Sequence, residues 1–546
     1  MNKKHLIIAF FVALVTAVYG QSNFGIDYFA LGEYQIAKKY FENQVSQKPT
    51  AESYYYLGEI AYAEGNMDQA KAFYAKGIET EPTYMLNYIG QGKLLLKTDK
   101  KEAETAFSNA LKNDKKDAGL NVAIAQAYYV NGMKDLALTR IALAEKYNKK
   151  SALIYTFEGD ILQDDAKLGD AGKKLGEAGQ KYEQATYFDT SYTIASLKYA
   201  ILYQSINPET AIDLFLKIFP KHPDYTVINK YLGQSYHAAG RYPEAIESYK
   251  TYFAEKNYMV DDIIRFASDY YFTDKFDESV ALINEGLQRE PDNFVLNRFK
   301  MYNASKTKDA SGLSIANRFF SLPTTAKSFF TTEDTLAYGR VLANAGQYEK
   351  SLDQYNKVLA SGNVKADTYK DIATTYTKMG DDISAIDNYL KYIDLIGSDN
   401  VLAIDYFKLG SAYYAAGTSK KIDSVKAKEY LVKADTIFGI VCQKSSEGSY
   451  TGYYWRGNTN AAMDPEAALG LAKPYYEATI KIILNRPNGY DNLKNILIRA
   501  YYYMAYYYYT REDKTNSTIY SNKILELDPN NTDAKTLLGA FNAPKK

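Results

Sequence analysis

The stretch AESYYYLGEIAYAEGNMDQAKAFYAKGIETEPTY, residues 51–84, constrains the fold more than any other part of the chain. It holds two amphipathic runs of helical period separated by the turn EGN, and a proline closes the second run. Counted from Ala51, small residues stand at positions 8 (Gly58), 20 (Ala70) and 27 (Gly77), and large ones at 4 (Tyr54), 7 (Leu57) and 24 (Tyr74); Pro82 is position 32. Two antiparallel helices approach closely only where side chains are small. Large residues then fill the spaces beside those contacts, and proline stops the second helix.

The same spacing recurs along the chain. Block 118–151 carries Ala125, Tyr128, Ala137 and Ala144; block 226–259 carries Leu232, Gly233, Tyr236, Ala245 and Tyr249; block 260–293 carries Ala267, Tyr270, Ser279, Gly286 and Pro291. Blocks 332–365, 366–402, 403–449 and 450–497 follow, the last two with insertions. Blocks 85–117, 152–191 and 192–225 fit with slips, 152–191 around the Gly/Lys-rich DDAKLGDAGKKLGEAGQ. Block 294–331 fits least, and SLPTTAKSFFTTED inside it reads as irregular. A short first block precedes them, and TDAKTLLGAF near the end reads as the start of a capping helix. This pattern resembles the tetratricopeptide repeat (TPR), a 34-residue helix–turn–helix unit. The resemblance covers nearly the whole chain in about 13 units. It implies an all-α TPR solenoid with a right-handed superhelix, whose work is to present surfaces rather than chemistry.

At the N-terminus, Lys3 and Lys4 precede an apolar run from Leu6 to Val18, and Val18 and Gly20 suit a signal-peptidase site. We read 1–20 as a cleaved signal peptide, with 21–325 as an N-terminal TPR array and 326–546 as a C-terminal array with inserted loops and a capping helix. An uncleaved anchor is the alternative, although the run is short for a bilayer span. No membrane span is expected in the mature chain. The style of the signal suggests a bacterial, Gram-negative source, and hence an exported, periplasmic protein, associated with the outer membrane only through partners.

Composition narrows the chemistry. Lys+Arg and Asp+Glu both number 65, so the net charge is zero, and no basic stripe marks a nucleic-acid binder. The histidines are His5, His222 and His237, and the one cysteine is Cys442. That is too few ligands for a Cys/His zinc site and rules out an intrachain disulfide. No phosphate loop, HExxH, CxxC or GxSxG occurs. No cofactor, metal or catalytic residue is expected, and the chain is read as a non-enzyme. His222-Pro223-Asp224 matches the tripeptide of J-domain co-chaperones, but Pro223 already serves as position 32 of its block. Cys442 reads as lying between repeats.

In the TPR family, positions 2, 5, 9 and 12 of the first helix face the concave side. A Lys/Arg/Asn clamp for a terminal carboxylate uses such positions in some members, but here Glu52, Tyr55 and Glu59, and Val227, Lys230 and Gln234, stand there instead. What recurs is tyrosine, of which the chain has 55. Position 12 holds Tyr62, Tyr129, Tyr203, His237, Tyr271, Tyr414 and Tyr509; position 5 holds Tyr55, Phe407, Tyr454 and Tyr502; position 9 adds Tyr506. Tyrosine is either the preferred packing residue of this sequence, its rings touching one another, or the lining of an aromatic groove for a partner segment. In YYYMAYYYYT (501–510), Tyr501, Met504, Ala505 and Tyr508 take packing positions, and Tyr502, Tyr506 and Tyr509 take the groove face. Tyr503 and Tyr507 have no assigned role.

The expected function is a non-catalytic protein–protein interaction scaffold or adaptor of the bacterial envelope, in an assembly or secretion complex. Binding of a glycan or peptidoglycan to the aromatic faces is the alternative, and homo-oligomerisation is open.

Overall fold

The computed structural model describes residues 24–540, apart from 168, 222–224, 255, 363–364, 447 and 487–488. The segment 1–20, read above as a signal peptide, and the His222-Pro223-Asp224 tripeptide lie outside the described residues. Every regular element among the described residues is helical, and no strand occurs there. Helices pair along the sequence: 51–63 with 67–80, 118–130 with 134–147, 227–238 with 242–253, 332–344 with 348–360, and so on to 494–509 with 514–527. A last helix, Thr532–Ala540, covers the end where the capping helix was expected.

Local chemistry sets the helix ends. Thr50 and Asn66 accept from the amides of Ser53 and Gln69 at the starts of 51–63 and 67–80. In several blocks the residue at position 15, between the paired helices, is left-handed. Gly65 takes this conformation at φ 80°, whereas Lys308 takes it at φ 57° despite its side chain.

The pairs pack through aromatic rings seated on glycine. Tyr74, Phe107, Tyr182, Tyr249, Tyr355, Phe438 and Tyr476 lie on the second helices and are almost completely buried. Each covers a glycine of its partner helix. A Cβ on Gly92, Gly159, Gly233, Gly410 or Gly457 would come within 2.6–2.9 Å of the facing ring. Gly58 leaves still less room under Tyr74, whose ring is also seated on Gly90 of the next pair.

Insertions are absorbed without breaking the pairing. The Gly/Lys-rich segment lengthens the helix 171–188, and the insertion in block 403–449 lengthens 403–418 and 424–444. Most of the irregular SLPTTAKSFFTTED, residues 321–331, follows the short helix 312–320 without regular structure, and its last three residues begin the helix Thr332–Asn344. Cys442 differs from its expected place: it lies inside the helix Ser424–Lys444, half-buried against Gly452, because that helix runs past the expected break. Burial there pushes its thiol pKa up.

The helices form two compact units, divided between Pro291 and Asp292. The first unit closes on itself. Phe24 stacks on Tyr225 with centroids 5.1 Å apart, and Tyr28 tilts against the same ring at 6.0 Å. Lys230 Nζ donates to both oxygens of Glu33 at 2.8 Å, and the Tyr231 hydroxyl donates to Glu33 at 2.9 Å. The first hairpin thus meets the helix Val227–Ala238, nearly 200 residues further on in sequence.

Candidate functional site: an aromatic, acidic cavity in the first unit

The closure leaves a concave cavity of about 760 Å³ in the first unit. Its wall comes mainly from the first helices of successive pairs, 51–63, 118–130, 152–166 and 193–204, with residues of the first hairpin such as Phe29 and Tyr34. Helical spacing puts one face of each helix inward. Tyr55, Tyr56, Tyr84, Tyr129, Phe157 and Tyr192 supply rings, and Met85, Leu86 and Leu120 supply aliphatic surface. Burial, with Glu59 adding to it, holds Tyr55 well above the ordinary phenol pKa, and burial with nearby Asp164 lifts Tyr129 to about 12. These hydroxyls are therefore neutral donors at physiological pH.

The charged groups of the wall are ordered by ladders that the sequence did not reveal. The Tyr74 hydroxyl donates to Glu59 Oε1 at 2.8 Å, and Lys93 of the next pair reaches both Glu59 oxygens at 2.7 Å. Three blocks later, the Tyr182 hydroxyl donates to Asp160 at 2.8 Å, and Lys198 reaches both oxygens of Asp160 at 2.7 Å. A tyrosine from the second helix and a lysine from the following first helix thus share a carboxylate beside the packing glycine.

The candidate groove residues fall into three groups. Tyr55 and Tyr129 line the cavity. Tyr55 is nearly buried among Tyr56, Tyr74 and Tyr84, and the Tyr129 hydroxyl donates to Asp164 at 3.3 Å. Tyr62, Tyr203, His237 and Tyr271 are half-buried in the same unit but stand outside the cavity lining. Lys93 Nζ sits 4.1 Å above the Tyr62 ring, and Tyr203 meets Tyr199 edge-on at 5.2 Å. His237 Nδ1 lies 2.5 Å from Oδ1 of the buried Asp269, and its ring meets Tyr242. Tyr271 packs on Phe272 and Phe276.

The third group lies in the second unit. Phe407, Tyr414 and Tyr454 surround Trp455 at centroid distances of 5.7, 5.3 and 6.1 Å. Tyr502, Tyr506 and Tyr509 stack in a ladder with 6.4 Å steps, and the Tyr506 hydroxyl donates to Glu466 at 3.1 Å. Tyr502 is the most open of the twelve, at 38% exposure. Their neighbours Tyr503 and Tyr507 turn to the preceding pair. Tyr503 is buried 5.1 Å from Tyr476, and Tyr507 sits against Gly470 with the Arg511 guanidinium 3.7 Å above its ring.

Sequence reasoning missed position 3 of the blocks. Ser53, Asn87, Asp262, Asp334, Thr368 and Asp405 stand there and are buried. Each aspartate is matched by a cation at position 5 of the preceding block. Lys230 lies 3.5 Å from Asp262, Arg298 2.8 Å from Asp334, and Lys370 2.7 Å from Asp405. Hydroxyls of Tyr252, Tyr302 and Tyr392 complete the three sites at 3.2, 2.8 and 3.0 Å. A position-5 cation followed about 32–36 residues later by Asp was the available signal. Lys230, at a clamp position, is thus tied up inside the fold.

Among the described residues no group of three or more His, Cys, Asp or Glu is placed to hold a metal ion, and no helix is long and apolar enough to cross a membrane.

Residues 23–83 match the family model for the tetratricopeptide repeat. Together with the helix pairs that continue this geometry, the match defines the chain as a tetratricopeptide-repeat protein, an all-helical repeat solenoid. No curated protein matches it. Similar solved structures include the C-terminal part of a TPR repeat-containing protein from Cytophaga hutchinsonii, 26% identical over 57% of this chain and 99% of that one, with a TM-score of 0.36. Pseudomonas aeruginosa PilF is 16% identical over 40% and 96% of the two chains, with a TM-score of 0.33. The APC/C hetero-tetramer Cut9–Hcn1 is 13% identical over 95% of each chain, with a TM-score of 0.31.

Proposed function

We propose that this protein is a non-catalytic adaptor of the bacterial envelope, exported through the segment 1–20, that holds a segment of another protein. The observation that carries the reading is the aromatic-lined cavity of the first unit, built from the first helices of successive repeats and large enough for several side chains of a bound segment. Affinity would come from burial of partner surface on rings already fixed in place, so little ordering cost falls on this side. The partner belongs to an envelope assembly or secretion complex.

Two measurements test this. A photo-crosslinking amino acid at Tyr84 or Leu120, inside the cavity, should capture a discrete protein in intact cells, and the same probe on the exposed Tyr187 should not. Equal labelling at both positions, or none at the cavity, removes the adaptor reading. Mass spectrometry of the mature chain should find Gln21 at its N-terminus in the periplasmic fraction; a retained Met1 refutes export by cleavage.

A further inference from the structure

We propose that the cavity of the first unit selects a basic segment, one that sets Lys or Arg beside an apolar anchor. This rests on the cavity being the partner site. Its lining holds four carboxylates, Glu59, Asp117, Asp160 and Asp164, against one ammonium, Lys198. The internal ladders answer only half of that charge. Lys198 is committed to Asp160, and Glu59 is held by Lys93.

Asp117 accepts the Leu120 amide at 2.8 Å as a helix cap, and among the described residues it forms no ion pair. Asp164 accepts from the Tyr129 hydroxyl, and among the described residues its one ion pair is with the exposed Lys167, a contact that solvent and salt weaken strongly. Both carboxylates line the cavity without a buried cation of their own, Asp117 half-buried and Asp164 at its solvent-open side, with 49% of its side chain exposed. Such a wall focuses negative potential inward. Tyrosine faces add to it, because their quadrupoles attract ammonium and guanidinium groups. An acidic peptide, a terminal carboxylate or a phosphate backbone would meet repulsion at the same place. The site thus has the opposite polarity to a carboxylate clamp.

The test uses the full mature chain and two fluorescein-labelled heptapeptides, GLKFRLG and GLEFELG, followed by anisotropy. GLKFRLG should bind at least about tenfold more tightly at low salt, and its affinity should fall several-fold between 50 and 500 mM salt, on the scale set by charge screening. Asp117→Asn, which keeps a capping side chain, and Asp164→Asn should each weaken GLKFRLG about three- to tenfold with an unchanged thermal melt. Equal binding of the two peptides, no binding of either, or indifference to both substitutions overturns the inference. The crosslinking experiment judges the underlying reading separately: a captured acidic or neutral protein segment sinks the charge selection alone, and absence of any captured protein sinks both.

Discussion

The two units use the same joints and present different faces. In both, an aromatic residue of the second helix is seated on a glycine of the first, as at Tyr74 and Gly58 or Tyr355 and Gly339. In both, a buried position-3 aspartate meets a position-5 cation of the preceding block. The inner faces diverge. The first unit folds its N-terminal hairpin onto 225–231 and encloses a ring-lined, acidic cavity of about 760 Å³. In the second unit, the first helices 294–307, 332–344 and 366–379 frame a pocket of about 280 Å³ with four cations, Lys306, Arg340, Lys370 and Lys378, and two carboxylates, Asp367 and Asp371. Positions that join repeats are constrained by close packing. Positions that face outward from the joint are free to change sign, so one scaffold carries two electrostatic characters.

Removing the buried cations tests the shared joint most severely. Lys230→Met leaves Glu33 with the Tyr231 hydroxyl but no cation, and buried Asp262 with only the more distant Arg265 at 4.0 Å, and should cost about 3–5 kcal/mol. Hydrogen exchange should then open residues 24–33, because that substitution also unlatches the first hairpin. Lys370→Met should cost a similar amount in the second unit but leave exchange at 24–33 unchanged. Equal opening at 24–33 in both variants would break the claim that closure belongs to the first unit. Next in size, Gly58→Ala and Gly339→Ala force a methyl into the facing tyrosine rings and should each cost about 1–3 kcal/mol in denaturant unfolding.

A pH effect of about 3 kcal/mol is expected from Asp27 in the first unit. Burial raises the pKa of Asp27 to about 6, with the Tyr225 hydroxyl opposing it. The folded pKa exceeds the unfolded one, so the folded chain holds the extra proton between about pH 4 and 6. This stabilisation is present in full below that window and lost as pH rises through it. Exchange protection at 24–33 should therefore weaken from pH 5 to pH 7, and Asp27→Asn should flatten the change. A slope unchanged in that variant would assign the effect to other groups.

Smaller differences separate the hydroxyl partners. Tyr74→Phe removes a bond to the charged Glu59 and should cost about 1.5–3 kcal/mol; Tyr476→Phe removes one to the neutral Asn458 and should cost about 1. A reversed order would argue against the acidic character assigned to the first unit's face. Least of all, replacing Tyr502, Tyr506 and Tyr509 together by alanine should change stability by no more than about 1 kcal/mol for each ring, since this ladder is only partly covered. Partner recovery with that variant shows whether the second unit contributes a contact surface.

The repeat was legible because its determinants are local. Gly58, Ala70, Tyr74 and Pro82 stand at fixed offsets within one helix pair, and the period of a helix converts offsets into faces. The paired helices, the capping helix 532–540 and the packing roles of Tyr501, Met504 and Ala505 follow from that register. The site was legible only in part. Tyr55 and Tyr129 were placed on the inner face by position number, but His237, Tyr62, Tyr203 and Tyr271 shared those positions and stand outside the cavity. Position numbers give a direction from the helix axis; they do not say how the repeats curve or what arrives opposite. Tyr503 and Tyr507 show the same limit, since their partners Tyr476 and Gly470 belong to the preceding pair and its loop.

By itself the sequence determined an all-helical solenoid of paired helices, because close packing of two helices makes the same local demand in every block. Only the tertiary structure decided that Glu33 meets Lys230, that Lys230 is a strut rather than a ligand-binding cation, and that a few of the many tyrosines enclose a space. Those outcomes depend on small rotations accumulated from repeat to repeat. They join residues too far apart in sequence for any local pattern to record.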